Sequence, residues 1–380
     1  MTPSRPTPAG EVGGAFGDLG TLLPILLGAV AVGGMAAGGV LAGFGAFLLA
    51  TGLLYRLPLP VQPMKAIGAL VVAGGLSPGE VAAAGIAGGL VLLALTLSGA
   101  TAWAARVVPR SAVLGLQLGV GATMAWIGLG LAWGGPLAAG STLALLLGLP
   151  RFAPRLPAVP LALAGAVVAD LAAGGAPPPL PSPSFAVPDF VLPAGTGELW
   201  RGLAVGALPQ LPLTLANAVL LPALLAREMF PPAAAARASE RRLGVVTGAA
   251  NVLLAPLGAL PMCHGAGGLV AQHRFGARTG WAPALLGAVL LALGLLFAHD
   301  AARLLTAIPA GALGVLLLLA GGDLALSRRL LEVRPDCRPA IAAAAVATFT
   351  LNPAVGLAAG WLAELVRSAL RPGKRTADEA

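Results

Sequence analysis

The chain alternates between long apolar runs and short polar or proline-rich breaks. Apolar runs of about 15 to 25 residues recur from Gly14 to Leu370, and a run of that length crosses a bilayer as a helix. Hydrophobic residues make up 57% of the chain and charged residues 10%, which argues against a water-soluble fold. The pattern therefore predicts an all-α integral membrane protein.

Cutting the chain at its charged or proline-rich breaks gives fourteen candidate membrane segments, seven in each half. In the first half they cover 14–32, 35–54, 62–75, 80–101, 111–132, 136–149 and 157–173. In the second half they cover 198–226, 241–257, 262–273, 281–298, 303–321, 339–350 and 353–370. The predicted organisation is a first repeat over 1–175, a Pro-rich external linker over 176–196, a second repeat over 197–370 and a cytoplasmic tail over 371–380.

The basic residues predict the orientation of these segments, because cytoplasmic loops carry an excess of Lys and Arg. With a cytoplasmic amino terminus, 20 of the 23 basic residues fall on the inside; Arg201 and Arg303 fall outside and Lys65 lies within a segment. We therefore expect a multi-pass protein of the bacterial inner membrane with both termini in the cytoplasm. The basic residues are scattered rather than gathered into one patch, so a nucleic-acid partner is not indicated.

An internal repeat links the two halves. Pro58 to Met64 and Pro256 to Met262 share the pattern PLxxxPM, and PRSAVLG from Pro109 is echoed by PAGALG from Pro309. Because each half has seven segments, an odd number, the second half must enter the membrane with opposite polarity, as in the inverted repeats of secondary transporters. The short third and tenth segments follow the PLxxxPM patterns and are predicted half-helices that point at a site near the midplane.

These two segments suit a small tetrahedral oxyanion. Pro63 and Pro261 can each begin a helix, and the free backbone N–H groups at a helix start attract anions. Lys65, one of only two lysines, would add a compact positive charge beside the Gln62 amide. Lys65 could instead reach the cytoplasmic interface or pair structurally with Asp18.

The tenth segment supplies further candidates. Cys263, His264 and Gly265, which opens a glycine-rich run, allow close backbone approach and an imidazole hydrogen bond. His264 could equally be a packing residue, Cys263 a small core residue, and the glycines a helix-packing surface. The two cysteines, Cys263 and Cys337, lie far apart without metal-ligand spacing, so no disulfide, metal site or other cofactor is predicted.

Two segments in corresponding positions carry buried polar candidates. Asp18, in the first segment, could neutralise Lys65, carry a coupled proton or cap the helix that follows it. Gln210 and Asn217, in the eighth segment, are expected to line the cavity, with interhelical hydrogen bonding as the alternative.

Four blocks of sequence resemble the signature blocks of the molybdate transporter family, which is related to the sulfate permeases. They are FGDLGTLLP at 16–24, PVQPMKAIGA at 60–69, LPQLPLTLANAV at 208–219 and PMCHGAGGLVAQHRFGARTG at 261–280. The resemblance implies proton-coupled molybdate uptake on a seven-plus-seven inverted repeat with core and gate subdomains. It also implies an anion site formed by Asp18, Thr21, Gln62, Lys65, Gln210, His264 and Gly265.

The resemblance leaves related functions open. Sulfate or tungstate could replace molybdate, the same fold could form an uncoupled anion channel, and a homodimer is compatible with it. About ten residues follow Leu370, where a typical sulfate permease has a large cytoplasmic regulatory domain. The sequence contains no paired His-Glu metal motif, nucleophile elbow or phosphate-binding loop, so an enzyme is not predicted.

Overall fold

The structure, a computed structural model, describes residues 6–153, 158–177, 182–326, 330 and 333–370. The predicted tail, part of the predicted linker and some of the basic residues used for the orientation lie outside this described part. Five helices within it are long and apolar enough to cross a membrane, and several shorter apolar helices accompany them. The prediction of a helical membrane protein is thereby confirmed.

The first half contains nine described helices and one short strand. They are α1 (Pro8–Ala15), α2 (Leu19–Ala31), α3 (Ala37–Tyr55), β1 (Gln62–Pro63), α4 (Lys65–Val72), α5 (Pro78–Leu97), α6 (Thr101–Val107), α7 (Arg110–Gly134), α8 (Pro136–Phe152) and α9 (Ala158–Ala172).

The second half begins with α10, a long helix that contains two π-helical sections. The elements are α10 (Thr196–Met229), α11 (Pro232–Ala235), α12 (Glu240–Leu254), β2 (Met262–Cys263), α13 (Ala266–Arg274), α14 (Trp281–Leu296), α15 (Ala298–Thr306), α16 (Ala310–Ala325), α17 (Arg338–Thr350) and α18 (Pro353–Leu370). Short 3₁₀ turns cover Ala236–Ala238, Ala255–Leu257 and Pro335–Cys337.

Two of the predicted segments each contain a break between two helices. The segment 14–32 is interrupted between α1 and α2, and Asp18 lies in this interruption. The segment 303–321 is divided between α15 and α16 by Pro309, which lies just before the first residue of α16. Proline lacks a backbone N–H and restricts the preceding residue, so it separates the two helices.

Glycines spaced seven residues apart bring pairs of helices into backbone contact. Along α3 they face glycines at the start of and within α14, in the order Gly38 with Gly294, Gly45 with Gly287 and Gly52 with Gly280. A Cβ atom on Gly45 would lie 2.8 Å from the carbonyl oxygen of Gly287. Small residues at such contacts are how membrane helices pack closely.

The same arrangement recurs between α7 and α16 and between α5 and α12. Gly128 faces Gly314, and a Cβ atom on Gly128 would lie 2.6 Å from the Gly314 carbonyl oxygen. Gly89 of α5 faces Gly248 of α12, and a Cβ atom on Gly89 would lie 2.7 Å from the Gly248 carbonyl oxygen. Each of these pairs joins a helix of the first half to a helix of the second, so the two halves interlock.

The described part of the Pro-rich linker is extended and anchored to the second half. The Ser184 N–H donates to the Leu296 carbonyl at 2.7 Å, and the Val191 N–H donates to the Pro256 carbonyl at 2.8 Å. The Asp300 carboxylate accepts from both the backbone N–H and the hydroxyl of Ser182. The linker therefore follows the ends of the second-half helices instead of extending away from them.

Candidate functional site

The two PLxxxPM patterns meet in a two-stranded antiparallel ladder. Strand β1 pairs with β2 so that Gln62 is opposite Cys263 and Pro63 is opposite Met262. The Met64 N–H extends the pairing by donating to the Pro261 carbonyl at 2.8 Å. The prolines of each pattern prevent helix formation before the ladder, which leaves both segments extended and able to pair.

A short helix follows each strand, but neither helix begins at the proline that we expected to begin it. Helix α4 begins at Lys65, two residues after Pro63, and α13 begins at Ala266, five residues after Pro261. The residues in between are held in the ladder or in extended conformations, with ψ of 111° at Met64 and 122° at Gly265. The free N–H groups therefore lie just beyond the ladder.

Gln210 contacts the start of α4 from the middle of α10. Its side chain is buried, and its Oε1 atom accepts a hydrogen bond from the Ala66 N–H at 2.8 Å. Its Nε2 atom donates to the Thr214 hydroxyl at 3.1 Å. In this structure both ends of the amide therefore bind other protein groups, one on α4 and one on α10 itself, and its place in the anion site stays a prediction.

The turns of α10 on either side of Gln210 are π-helical. They cover Gly202–Ala207 and Leu215–Leu220, and the second section includes Asn217. Isolated π turns are uncommon in helices and are frequent at functional sites. They also rotate Gln210 relative to the residues of a regular helix, which no spacing argument from the sequence could anticipate.

Lys65 is the first residue of α4 and is half-buried. None of the ion pairs between described residues includes it. It lies near enough to Asp18 and Cys263 to interact electrostatically with both. Its positive charge therefore adds to that of the α4 start instead of being neutralised in a direct ion pair.

Asp18 is buried against the start of the other short helix. The Gln62 Nε2 atom donates to both carboxylate oxygens at 2.7 Å, and Thr21 is a further electrostatic partner. A Cβ atom on Gly268, in the first turn of α13, would lie 2.5 Å from Asp18 Oδ2. The Asp18 side chain makes no capping hydrogen bond to α2, so the hypothesis that it caps the following helix was wrong.

Cys263 and Gly265 lie on the same side of the ladder as Gln62. A Cβ atom on Gly265 would overlap the Gln62 amide group, so this position requires glycine for side-chain space. The Cys263 thiol is buried and free. Asp18, Thr21, Gln62, Lys65, Cys263 and Gly265 are thus brought together around the ladder.

His264 projects away from this group. Its ring lies 5.2 Å from the rings of both Phe47 and Tyr55 on α3, measured between centroids. Its Nδ1 atom lies 3.0 Å from the carbonyl oxygen of Pro60. Of the alternatives that the sequence left open, the packing position is the one His264 occupies in this structure.

Asn251 supports the ladder from its outer edge, a role that we did not predict. Its Nδ2 atom donates to the Met262 carbonyl at 2.6 Å, and its Oδ1 atom accepts from the Met262 N–H at 2.9 Å. The side-chain amide of Asn251, on α12, thus pairs with the backbone of Met262 as a residue of a third strand would. The signal in the sequence is weak, because an asparagine near the end of an apolar segment is equally typical of a loop boundary.

Comparison with known proteins shows which family this chain resembles. A family model described as "Molybdate transporter of MFS superfamily" matches residues 10–124 and 202–324. The chain belongs to the molybdate transporter family. This family consists of transporters rather than enzymes, and the recognition made from the four sequence blocks is confirmed.

Curated relatives agree with this assignment over nearly the whole chain. "Molybdate transporter 2" of Arabidopsis thaliana is 31% identical over 408 residues, which cover 92% of this chain and 85% of the relative. "Molybdate transporter 1" of Chlamydomonas reinhardtii is 31% identical and covers 83% of each chain.

Solved structures place this molybdate transporter family member in a known fold. The transmembrane domain of the cyanobacterial bicarbonate transporter BicA matches with a TM-score of 0.66 at 19% identity, covering 91% of this chain and 96% of that one. SLC26A9 matches with a TM-score of 0.66 at 12% identity, covering 97% of this chain and 66% of that one. At these identities the similarity concerns the fold, an all-α multi-pass membrane protein.

Proposed function

We propose that this protein imports molybdate, a tetrahedral oxyanion, across the inner membrane by proton-coupled alternating access. The names of its relatives, at about 30% identity over most of both chains, support the substrate. The transporter fold supports movement of a small ion rather than chemistry on it.

The observation that carries the proposal is the pair of helix starts beside one ladder. Helices α4 and α13 both begin within a few residues of paired strands, and their first-turn N–H groups favour negative charge. Lys65 adds an ammonium that forms no ion pair among the described residues. A dianion bound here would be attracted by Lys65 and by backbone dipoles at the same time.

The proposal includes the full predicted architecture. In it, fourteen segments form a seven-plus-seven inverted repeat with core and gate subdomains, α4 and α13 are half-helices, and both termini are cytoplasmic. Two contacts favour this arrangement: α3 packs on α14 while α5 packs on α12, so the second and eleventh segments pair as the fourth and ninth do. That exchange is the pattern that an inverted repeat produces.

Asp18 is the proposed site of proton coupling. Its carboxylate is buried beside Gln62 and close to Lys65, so its charge acts directly on the space that the anion would enter. Protonation would remove a negative charge from this space as the dianion arrives. An intramembrane carboxylate in such a position is typical of an ion pathway.

The direct test is molybdate uptake into proteoliposomes under an imposed proton gradient, with tungstate and sulfate as competitors. We expect saturable uptake that the inward proton gradient stimulates. Absence of uptake under any gradient contradicts the proposal, and stronger uptake of sulfate or tungstate reassigns the substrate. Planar-bilayer currents far above carrier rates would indicate an anion channel instead.

A matched pair of lysine variants tests the site itself. Lys65→Ala should abolish molybdate binding while the protein stays folded in detergent, whereas Lys374→Ala, which removes the only other lysine, should bind as the wild type does. Wild-type affinity in the Lys65 variant would assign Lys65 a structural role.

A further inference from the structure

The ladder has a second face, opposite the proposed anion site. Side chains of successive strand residues point to opposite faces. The missing side chain of Gly265 would point into the Gln62 amide, which fixes the face that these two residues share. His264, one residue earlier, therefore points to the other face, where Phe47 and Tyr55 receive it.

The imidazole of His264 joins the two segments of the ladder from behind. Its Nδ1 atom lies 3.0 Å from the Pro60 carbonyl oxygen. A carbonyl oxygen only accepts, so Nδ1 must carry the proton and donate it. The bond links the residue just before Gly265 to the residue two positions before Gln62. It thus ties together the backbones that present Gly265 and Gln62 on the front face.

The other ring nitrogen of His264, Nε2, is fully buried. His264 is 0% exposed, and its Nε2 atom has no hydrogen-bond partner among the described residues. The hydroxyl of Thr51, which lies one helical turn from both Phe47 and Tyr55 on α3, is also buried without a partner there. Nε2 is thus buried on the side of the ladder where Phe47 and Tyr55 pack, and not on the front face.

We propose that His264 is a positioning residue for the anion site, which it shapes through the Nδ1–H bond to Pro60 without touching the anion. This inference rests on the proposed function. It differs from ligand contact in a testable way, because the two ring nitrogens have different roles. Positioning needs a donor at Nδ1, whereas direct contact needs a donor or acceptor at Nε2.

Two amide substitutions separate these roles. In His264→Asn the amide nitrogen can occupy the place of Nδ1, and in His264→Gln it can occupy the place of Nε2. We expect His264→Asn to keep molybdate affinity near that of the wild type and His264→Gln to weaken it about tenfold, the effect of one lost buried hydrogen bond. The reverse order, with glutamine retaining affinity and asparagine losing it, overturns the proposal.

A spectroscopic measurement covers the case in which a variant does not fold. In wild-type protein labelled with ¹⁵N-histidine, His264 should show the Nδ1–H tautomer, and its Nε2 signal should not move when molybdate is added. A molybdate-dependent shift of Nε2 comparable to a direct contact overturns the positioning role. If wild-type protein binds no molybdate in either experiment, the proposed function fails, and that result is distinct from a reversed order of the two variants.

Discussion

The starts of α4 and α13 are alike in backbone geometry and different in charge. Each follows one strand of the ladder, and each is met by a polar side chain from a segment in the corresponding position of a half. At α4 that side chain is the neutral amide of Gln210, which accepts from Ala66 N–H. At α13 it is the carboxylate of Asp18, which lies against Gly268.

This difference gives the two helix starts different electrostatic properties. Because Gln210 is neutral and Lys65 stands beside it, the α4 start keeps its positive character. The Asp18 carboxylate offsets the positive end of α13 as long as it is ionised. An arriving dianion would therefore be held mainly from the α4 side, while the α13 side responds to the charge of Asp18.

The largest expected effect comes from making the α4 start resemble the α13 start. Gln210→Glu places a carboxylate beside Lys65 and Ala66 N–H, where it would neutralise both. We expect molybdate binding to fall by about a hundredfold or more, as for like charges brought together in a poorly solvated site. Equilibrium binding on purified protein measures this. Gln210→Met is the neutral control, and wild-type affinity in the Glu variant would contradict the asymmetry.

The next effect concerns the space between the ladder and α13. Gly265→Ala keeps an allowed backbone, with φ of −97°, but its methyl group would enter the Gln62 amide. We expect affinity to fall about tenfold to a hundredfold, the range for overpacking a tight site. Gly267→Ala is the matched control, because Gly267 is exposed and its Cβ would meet nothing within 4 Å. Equal losses in both variants would refute the steric explanation.

Asn251→Leu tests the support that the Asn251 side chain gives to β2. It removes the amide that binds both backbone groups of Met262 and leaves those groups buried without partners. We expect a loss of about 1–3 kcal/mol in the free energy of unfolding. Thermal unfolding in detergent measures it. An unchanged midpoint would mean that the ladder holds without this side chain.

Asp18→Asn, which makes the α13 start neutral like the α4 start, should change binding least. Without the ionisable carboxylate of Asp18, the site should keep molybdate affinity within a few fold of the wild type. The dependence of molybdate uptake on pH should become flatter. Uptake measured across pH for the wild type and the variant checks this. Identical pH profiles would remove Asp18 from proton coupling.

The sequence located both sides of the ladder because the polar candidates are concentrated in short motifs. The PLxxxPM patterns mark both sides of the ladder, and Asp18, Gln62 and Lys65 stand out as polar residues in apolar surroundings. The sequence did not give the positions of the helix starts, since Pro63 is compatible both with a first helical turn and with an extended strand. Tertiary pairing with β2 decides between them.

Other features depend on partners that no local pattern reveals. The face of the ladder that His264 occupies follows from the strand register, which is set by pairing between residues some 200 positions apart. The role of Asn251 depends on the same register. The π turns around Gln210 change the angular spacing along α10, so helical periodicity alone places its side chains wrongly.

The glycine contacts between α3 and α14 restrict how this molecule can rearrange. The glycines recur every seven residues on both helices, and bulkier side chains stand between them. A slide of one residue, about 1.5 Å, would set a leucine or alanine against the backbone of the opposite helix. Close contacts of this kind favour movement of the two helices as one stiff body, so in the proposed transport cycle we expect the displacements to occur at other helix boundaries.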